Sequence, residues 1–324
     1  MDPFPSEIVV GEPGDGVRLD LFLRGRFPSC SRAHLRGEIE KGHVIRNGRP
    51  ARKGDLLRAG DRIDLRSFRA PEETPIAPDP SGELAVLHED SRLVVVSKEA
   101  GLPTLPRDET DTNALACRLV ARYPELLRVG PPFEAGLLHR LDTETSGLLV
   151  AARTPESYRL LRDQWRWRRV LKFYLALVEG EARGSFTMLL PIAHHPKSRK
   201  RMTVGEEGRS AETRCRSLFA ARRSSLLLVN LREGRRHQIR VHLAAAGHPV
   251  WNDPLYSKRG KRRGGRLMLH ALRLRFRPRE GDERIDIVDP PPPAFAGILR
   301  GVLGDGAIRA LQRALRVRPP ESDG

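Results

Sequence analysis

The sequence contains only three cysteines, Cys30, Cys117 and Cys215, far apart and with no Cys-x-x-Cys spacing. That excludes a disulfide framework and a cysteine-built zinc site, and predicts buried structural thiols instead. Long hydrophobic runs are absent too: nothing approaches the roughly 20 apolar residues that span a bilayer, and no lipidation signal stands at either end. The first residues, Met1-Asp2-Pro3-Phe4-Pro5-Ser6, lack the basic start and apolar core of a secretion signal, so a cytoplasmic location is expected. A phosphate loop and a dinucleotide fingerprint are missing. Of the histidines, His237 and His242 are five apart and leave a single helical face, unlike the four-residue spacing of a helical zinc pair. No metal is predicted.

What the chain has in excess is positive charge. Lys and Arg total 58 against 41 Asp and Glu, a formal net charge of +17, drawn mainly from Arg, which can grip phosphate oxygens through two parallel hydrogen bonds. Polyanions are the expected partners, and nucleic acid is favoured over a membrane surface. A length of 324 residues carries a prior of about two domains, and 39% hydrophobic content suffices for a core in each.

The chain divides on composition. Residues 1–15 read as a flexible segment and 16–69 as a small basic unit, with a helix near Val17–Leu23, a second from about Ser31, and an Asn47-Gly48 hairpin signal. Arg32, Arg36 and Lys41, with Arg46 and Arg49, gather near that second helix and hairpin as an electrostatic footprint for an RNA backbone. A proline-rich tether covers 70–81. From 82 to 300, strands outnumber helices without regular βαβ alternation, which predicts an α+β domain whose mixed, largely antiparallel sheet is flanked by helices. Residues 301–324 read as an extension with an amphipathic helix from about Leu303 to Arg316.

Within 82–300 the run His139-Arg140-Leu141-Asp142-Thr143-Glu144-Thr145-Ser146-Gly147 sets a carboxylate between a basic pair and an apolar strand. Alone, Arg beside Asp marks an exposed ion pair as readily as a reactive site. A second segment, Gly234-Arg235-Arg236-His237-Gln238-Ile239-Arg240, predicts a helix from Arg236 with Arg236 and Arg240 one turn apart on one face. A strand at Lys172-Phe173-Tyr174 puts Lys172 and Tyr174 on the same side. Trp165 and Trp167 are interleaved with Arg166 and Arg168, as suits RNA stacking, yet residues two apart do not share a helical face, so at least one is expected in the core. Two basic loops, 197–201 and 258–263, look like phosphate-holding segments.

These segments, together with Leu93–Leu102, Ala211-Glu212-Thr213, Gly247-His248-Pro249 and Leu269-His270-Ala271, occur in an order that resembles the RluA family of pseudouridine synthases. The small basic unit resembles the RNA-binding domain of a small-subunit ribosomal protein of the S-four type. The resemblance implies the pseudouridine synthase fold and a cofactor-free isomerisation of uridine in RNA, with large-subunit ribosomal RNA favoured; a monomer is expected. It implies that Asp142 is the nucleophile, Arg240 its ion-pair partner, and Tyr174 the surface on which the flipped base stacks. Arg140 resembles the residue that manages the flipped nucleotide; His139, Lys172 and Arg236 are further candidates for substrate contact. Transfer RNA is the alternative substrate, and a noncatalytic ribosome-assembly factor the alternative class. The chain departs from the family at Glu99, where proline is common, and at Asn252, where glycine is common; Asn252 is expected to keep a left-handed turn.

Overall fold

The computed structural model describes residues 7–27, 30, 32–68, 76–108, 110–131, 133–258, 265–279 and 281–316. The chain forms two compact units, one of 1–77 with 107–111, the other of 78–106 with 112–324.

The small unit carries β1 (Glu7–Val9), α1 (Leu19–Arg26), α2 (Arg32–Glu40), β2 (Val44–Arg46), β3 (Arg49–Pro50) and β4 (Arg62–Leu65). Its antiparallel sheet runs β1-β4-β2-β3. Asn47 and Gly48 both take positive φ, 48° and 79°, as a two-residue hairpin turn requires. Leu19, Leu23, Leu35 and Ile39 of the two helices close over Val44 and Ile63 of the sheet. Residues 7–9, expected in a flexible segment, pair with Arg62–Asp64 because Ile8 adds an apolar side chain to that core.

The large unit is built on β5 (Ala85–Glu89), β6 (Leu93–Lys98), α3 (Leu115–Arg122), β7 (Ser146–Ala152), α4 (Pro155–Arg166), β8 (Leu171–Glu179) and β9 (Ser185–Leu189). A two-stranded ribbon, β10 (Ile192–His194) with β11 (Met202–Val204), precedes β12 (Glu212–Ala221), β13 (Ser224–Leu231), α5 (Gln238–Ala245), β14 (Leu269–Phe276), β15 (Ile285–Val288) and α6 (Pro293–Arg316). The nine-stranded sheet runs β5-β6-β7-β14-β8-β13-β12-β9, with β15 paired to β14. Only β7 and β14 run parallel, so the sheet is mixed and largely antiparallel. With its flanking helices the large unit is the α+β architecture expected from sequence, and the small unit has its own four-stranded sheet.

The local reasons are legible. All seven residues of β7 are buried, which suits its continuous apolar run at the middle of a covered sheet. Gly147 sits at φ 113°, and a Cβ there would lie 2.3 Å from the carbonyl oxygen of Ala271 on β14. Only glycine lets those strands close. Thr154 caps α4 by accepting from the Ser157 amide at 3.1 Å, with Pro155 in the first turn. All three cysteines are buried thiols.

Three expected boundaries move. The helix predicted from Arg236 starts at Gln238, since His237 takes a left-handed conformation at its N-cap. The boundary at 301 falls inside α6, which begins at Pro293 and bends at Gly304, where φ is 73°. From Asn113 to about Leu127 the sequence predicts a helix, and the structure shortens it, α3 being followed by a 3-10 turn at Pro124–Arg128, because Pro124 cannot continue an α-helix. Among the described residues no helix is long and apolar enough to cross a membrane.

Candidate active site

Asp142 lies in the turn before β7, and that turn is braced from the chain on its other side. Thr104 Oγ1 donates to the Leu141 carbonyl at 2.8 Å and accepts from the Leu141 amide at 3.2 Å. Lys98 Nζ, almost completely buried, donates to the carbonyls of Glu99, Leu102 and Thr143 at 2.8, 2.6 and 3.0 Å. Burial pulls the Lys98 amine down to about 7, against the opposing pull of the Asp142 and Glu99 charges. These contacts hold the nucleophile candidate by its backbone on both sides.

The carboxylate itself is held by Arg240. Its Nη1 donates to Asp142 Oδ2 at 2.8 Å, while Nε and Nη2 donate to Asp253 Oδ2 and Oδ1 at 2.7 and 2.9 Å. Asp253 is fully buried, and its Oδ1 also accepts the backbone amides of Leu255 and Tyr256. Burial alone would disfavour the guanidinium charge, but hydrogen bonds and charge from Asp253, then Asp142, raise its pKa overall. Arg240 is therefore a permanent cation clamped between two carboxylates, with its planar fork matched to Asp253 and one arm left for Asp142.

A second group faces the same oxygen. His237 Nε2 stands 3.9 Å from Asp142 Oδ2, and its Nδ1 is 2.9 Å from Tyr256 Oη. Tyr256 Oη also accepts the Met202 amide at 2.7 Å, which fixes the phenol beside the imidazole. Burial lowers the His237 pKa, with the Asp142 charge opposing, which favours the neutral imidazole.

Tyr174, on β8 between β13 and β14, is buried, and burial first and the Asp142 charge second raise its hydroxyl pKa. Asp142, Tyr174 and Arg240 thus converge as expected, at the floor of a cleft of about 1340 Å³. Arg140, Arg162, Arg166, Arg168, Arg232 and Arg236 line it.

The other candidates separate. Arg140 and Arg236 are exposed on the cleft wall, although Arg236 precedes α5 and does not share a helical face with Arg240. Lys172 lines the cleft beside Tyr174, but its ammonium donates to the carbonyls of Glu233 at 2.8 Å and Arg232 at 3.4 Å, so it holds the turn after β13 and does not face solvent as an RNA contact. Burial draws its pKa down to about 8. His139 stacks on Trp165 at 5.4 Å between centroids and is pushed down to about 3 by burial, which makes it a neutral packing group. In the small unit, Arg36 pairs with Glu40 at 2.6 Å and Lys41 with Glu38 at 3.5 Å, both acids being on α2. The side chain of Arg32 lies outside the described residues, as do 259–263 of the second basic loop.

Asp253, Tyr256, His237 and Lys98 were not singled out from sequence. The signals were present: Lys98 and His237 stand inside quoted segments, and Asp253 follows Asn252, whose φ of 62° is the expected left-handed turn. Thr213, fully buried, lies in a chain from Gln238 Nε2 through its Oγ1 to His242 Nδ1, a bracing role. Glu99 accepts from Arg118 Nη1 at 2.9 Å at the surface. Among the described residues no three His, Cys, Asp or Glu side chains converge as a metal site.

Known proteins resemble this chain over most of its length. Residues 92–245 match the RNA pseudouridylate synthase family and residues 17–63 the S4 domain. An uncharacterised RNA pseudouridine synthase of Chloroflexus aurantiacus is 39% identical over 93% of this chain and 94% of its own length. The ribosomal large subunit pseudouridine synthase D of Xanthomonas campestris is 33% identical over 98% of each. Among solved structures, human RNA pseudouridylate synthase domain containing 1 superposes with a TM-score of 0.56 at 26% identity, over 76% of this chain and all of its own.

Proposed function

This chain belongs to the RNA pseudouridylate synthase family and is an isomerase; on that premise we propose that it converts specific uridines of large-subunit ribosomal RNA, with Asp142 as nucleophile. The observation that carries the chemical part is the 2.8 Å bond from buried Arg240 to Asp142 at the foot of an arginine-lined cleft. A carboxylate oriented by a buried guanidinium can attack an electrophilic carbon of the nucleotide and leave again without taking up a proton. The bond between uracil and ribose breaks, the base turns, a carbon–carbon bond forms in its place, and the proton on carbon 5 is lost while the freed ring nitrogen takes one up. No electrons or energy donor are required.

In this reading the target uridine is extruded from the RNA stack and lies on Tyr174, while Arg140 steadies the strand it left. Large-subunit RNA is favoured by the S4 domain and by the full-length likeness to proteins named for that substrate. Pseudouridine maps of ribosomal and transfer RNA, from cells with the gene, without it, and with Asp142→Asn, test both parts. Sites in large-subunit RNA should vanish in the last two. Loss confined to transfer RNA would move the substrate, and modification by Asp142→Asn would remove the nucleophile.

A further inference from the structure

The two tryptophans that sequence offers together for RNA stacking part company in the fold. Trp165 is half-buried, stacked on His139 and tilted against Phe276 at 5.5 Å between centroids. Trp167 is 64% exposed, and among the described residues it is the only aromatic in the set of exposed large apolar side chains. It closes α4, with its amide bonded to the Asp163 carbonyl at 2.8 Å, and Arg168 then turns the chain at φ 57°. The Arg166 guanidinium lies 5.6 Å from the indole centroid. Arg166 and Arg168, on either side of Trp167 in sequence, both line the catalytic cleft.

An indole left in water forfeits the gain of burial, so its exposure beside a cationic cleft calls for a partner that is flat, apolar on its face and anionic nearby. A nucleobase on its phosphate backbone fits that description, its flat face matching the indole and its phosphate the arginine beside it. We propose that Trp167 is a second base-stacking subsite, on the rim of the cleft, for an unpaired nucleobase flanking the extruded uridine. Arg166 supports the indole on one face and meets the adjoining phosphate, and the base lies on the other. This rests on the chain acting on RNA.

The test uses the full-length protein, a single-stranded uridine-containing RNA, and inorganic polyphosphate as a charge-matched control. Of the three tryptophans Trp251 is buried and Trp165 half-buried, so Trp167 should dominate quenching of intrinsic fluorescence. RNA should quench and polyphosphate should not. Trp167→Ala and Trp167→Leu should raise KM roughly tenfold, as loss of one stacked base does, with kcat unchanged, and Trp167→Phe should stay near wild type. Wild-type KM in both Ala and Leu variants overturns the subsite, as does a Leu variant that keeps what Ala loses, or equal quenching by polyphosphate. Wild-type self-association lost in Trp167→Ala, with RNA affinity intact, assigns the residue to a protein interface and overturns it too. Failure of the wild type to bind any RNA strikes the RNA reading itself, an outcome distinct from all of these.

Discussion

Asp253 fixes Arg240 in place, and through it the orientation of Asp142. Two of the three hydrogen bonds that Arg240 makes to carboxylates go to Asp253, and both partners are buried, so removing the negative charge leaves a desolvated cation with one carboxylate. Asp253→Asn should lower kcat at least tenfold or so, the order expected for one charged hydrogen bond, with RNA dissociation constant unchanged. Single-turnover kinetics with a separate binding assay would show it; equal losses in both would mean that the cleft had collapsed. Asp142, Tyr174 and Arg240 were readable because each stands in a distinctive segment. Asp253 was not, because an aspartate before proline that collects two following backbone amides has the sequence signature of an ordinary turn. Its task appears only when Arg240, distant in local geometry from that turn, is brought against it.

At the scale of elements, the parallel contact of β7 with β14 joins the Asp142 turn to the sheet, and a buried polar chain runs through it. Ser146 Oγ is 2.8 Å from His270 Nδ1, and His270 Nε2 is 2.8 Å from the Asp289 carbonyl, which it can only donate to. His270 is thus neutral in the fold, its pKa drawn from 6.5 to about 4 by burial. A histidine with a depressed folded pKa binds its proton first in the unfolded chain, so its contribution to stability is complete above 6.5 and is lost as pH falls toward about 4. His139 adds to the same slope down to about 3. Denaturation midpoints at pH 7, 5.5 and 4 should therefore fall less steeply in His270→Gln than in wild type; parallel slopes would remove His270 from the account. Hydrophobic period and turn residues made most of these strands legible. Helix ends were less so: His237 adopts a left-handed cap that its residue type does not announce, and the glycines at 297, 301, 304 and 306 mask a helix that continues through a bend. A Cβ on Gly306 would sit 2.7 Å from the Phe219 ring, so a side chain there would have to displace it.

For the whole molecule the governing quantity is its charge of +17, which composition alone reveals but cannot localise. The fold sorts it: Arg36 and Lys41 share their charge with glutamates of α2, Lys172 is turned inward, Arg168 pairs with Glu233 at 2.8 Å, and Arg140 and Arg166 are exposed on the cleft. RNA affinity should fall steeply and log-linearly with salt, and Arg140→Gln should reduce that slope by about 0.7, the value of one single-strand phosphate contact. The same slope in Lys172→Gln as in wild type, measured by titration at four salt concentrations, would agree with its inward role; a reduced one would restore it to the RNA surface.

Arg240 and His237 both address Oδ2 of Asp142, and no hydrogen bond to Oδ1 is found among the described residues. Under the proposed chemistry the carboxylate is then not a symmetric anion but a one-sided reagent. A nucleotide approaching Oδ2 meets the guanidinium bonded to it and an imidazole nearby; one approaching Oδ1 meets an oxygen that no described hydrogen bond engages. The two oxygens are therefore made unequal before any RNA arrives.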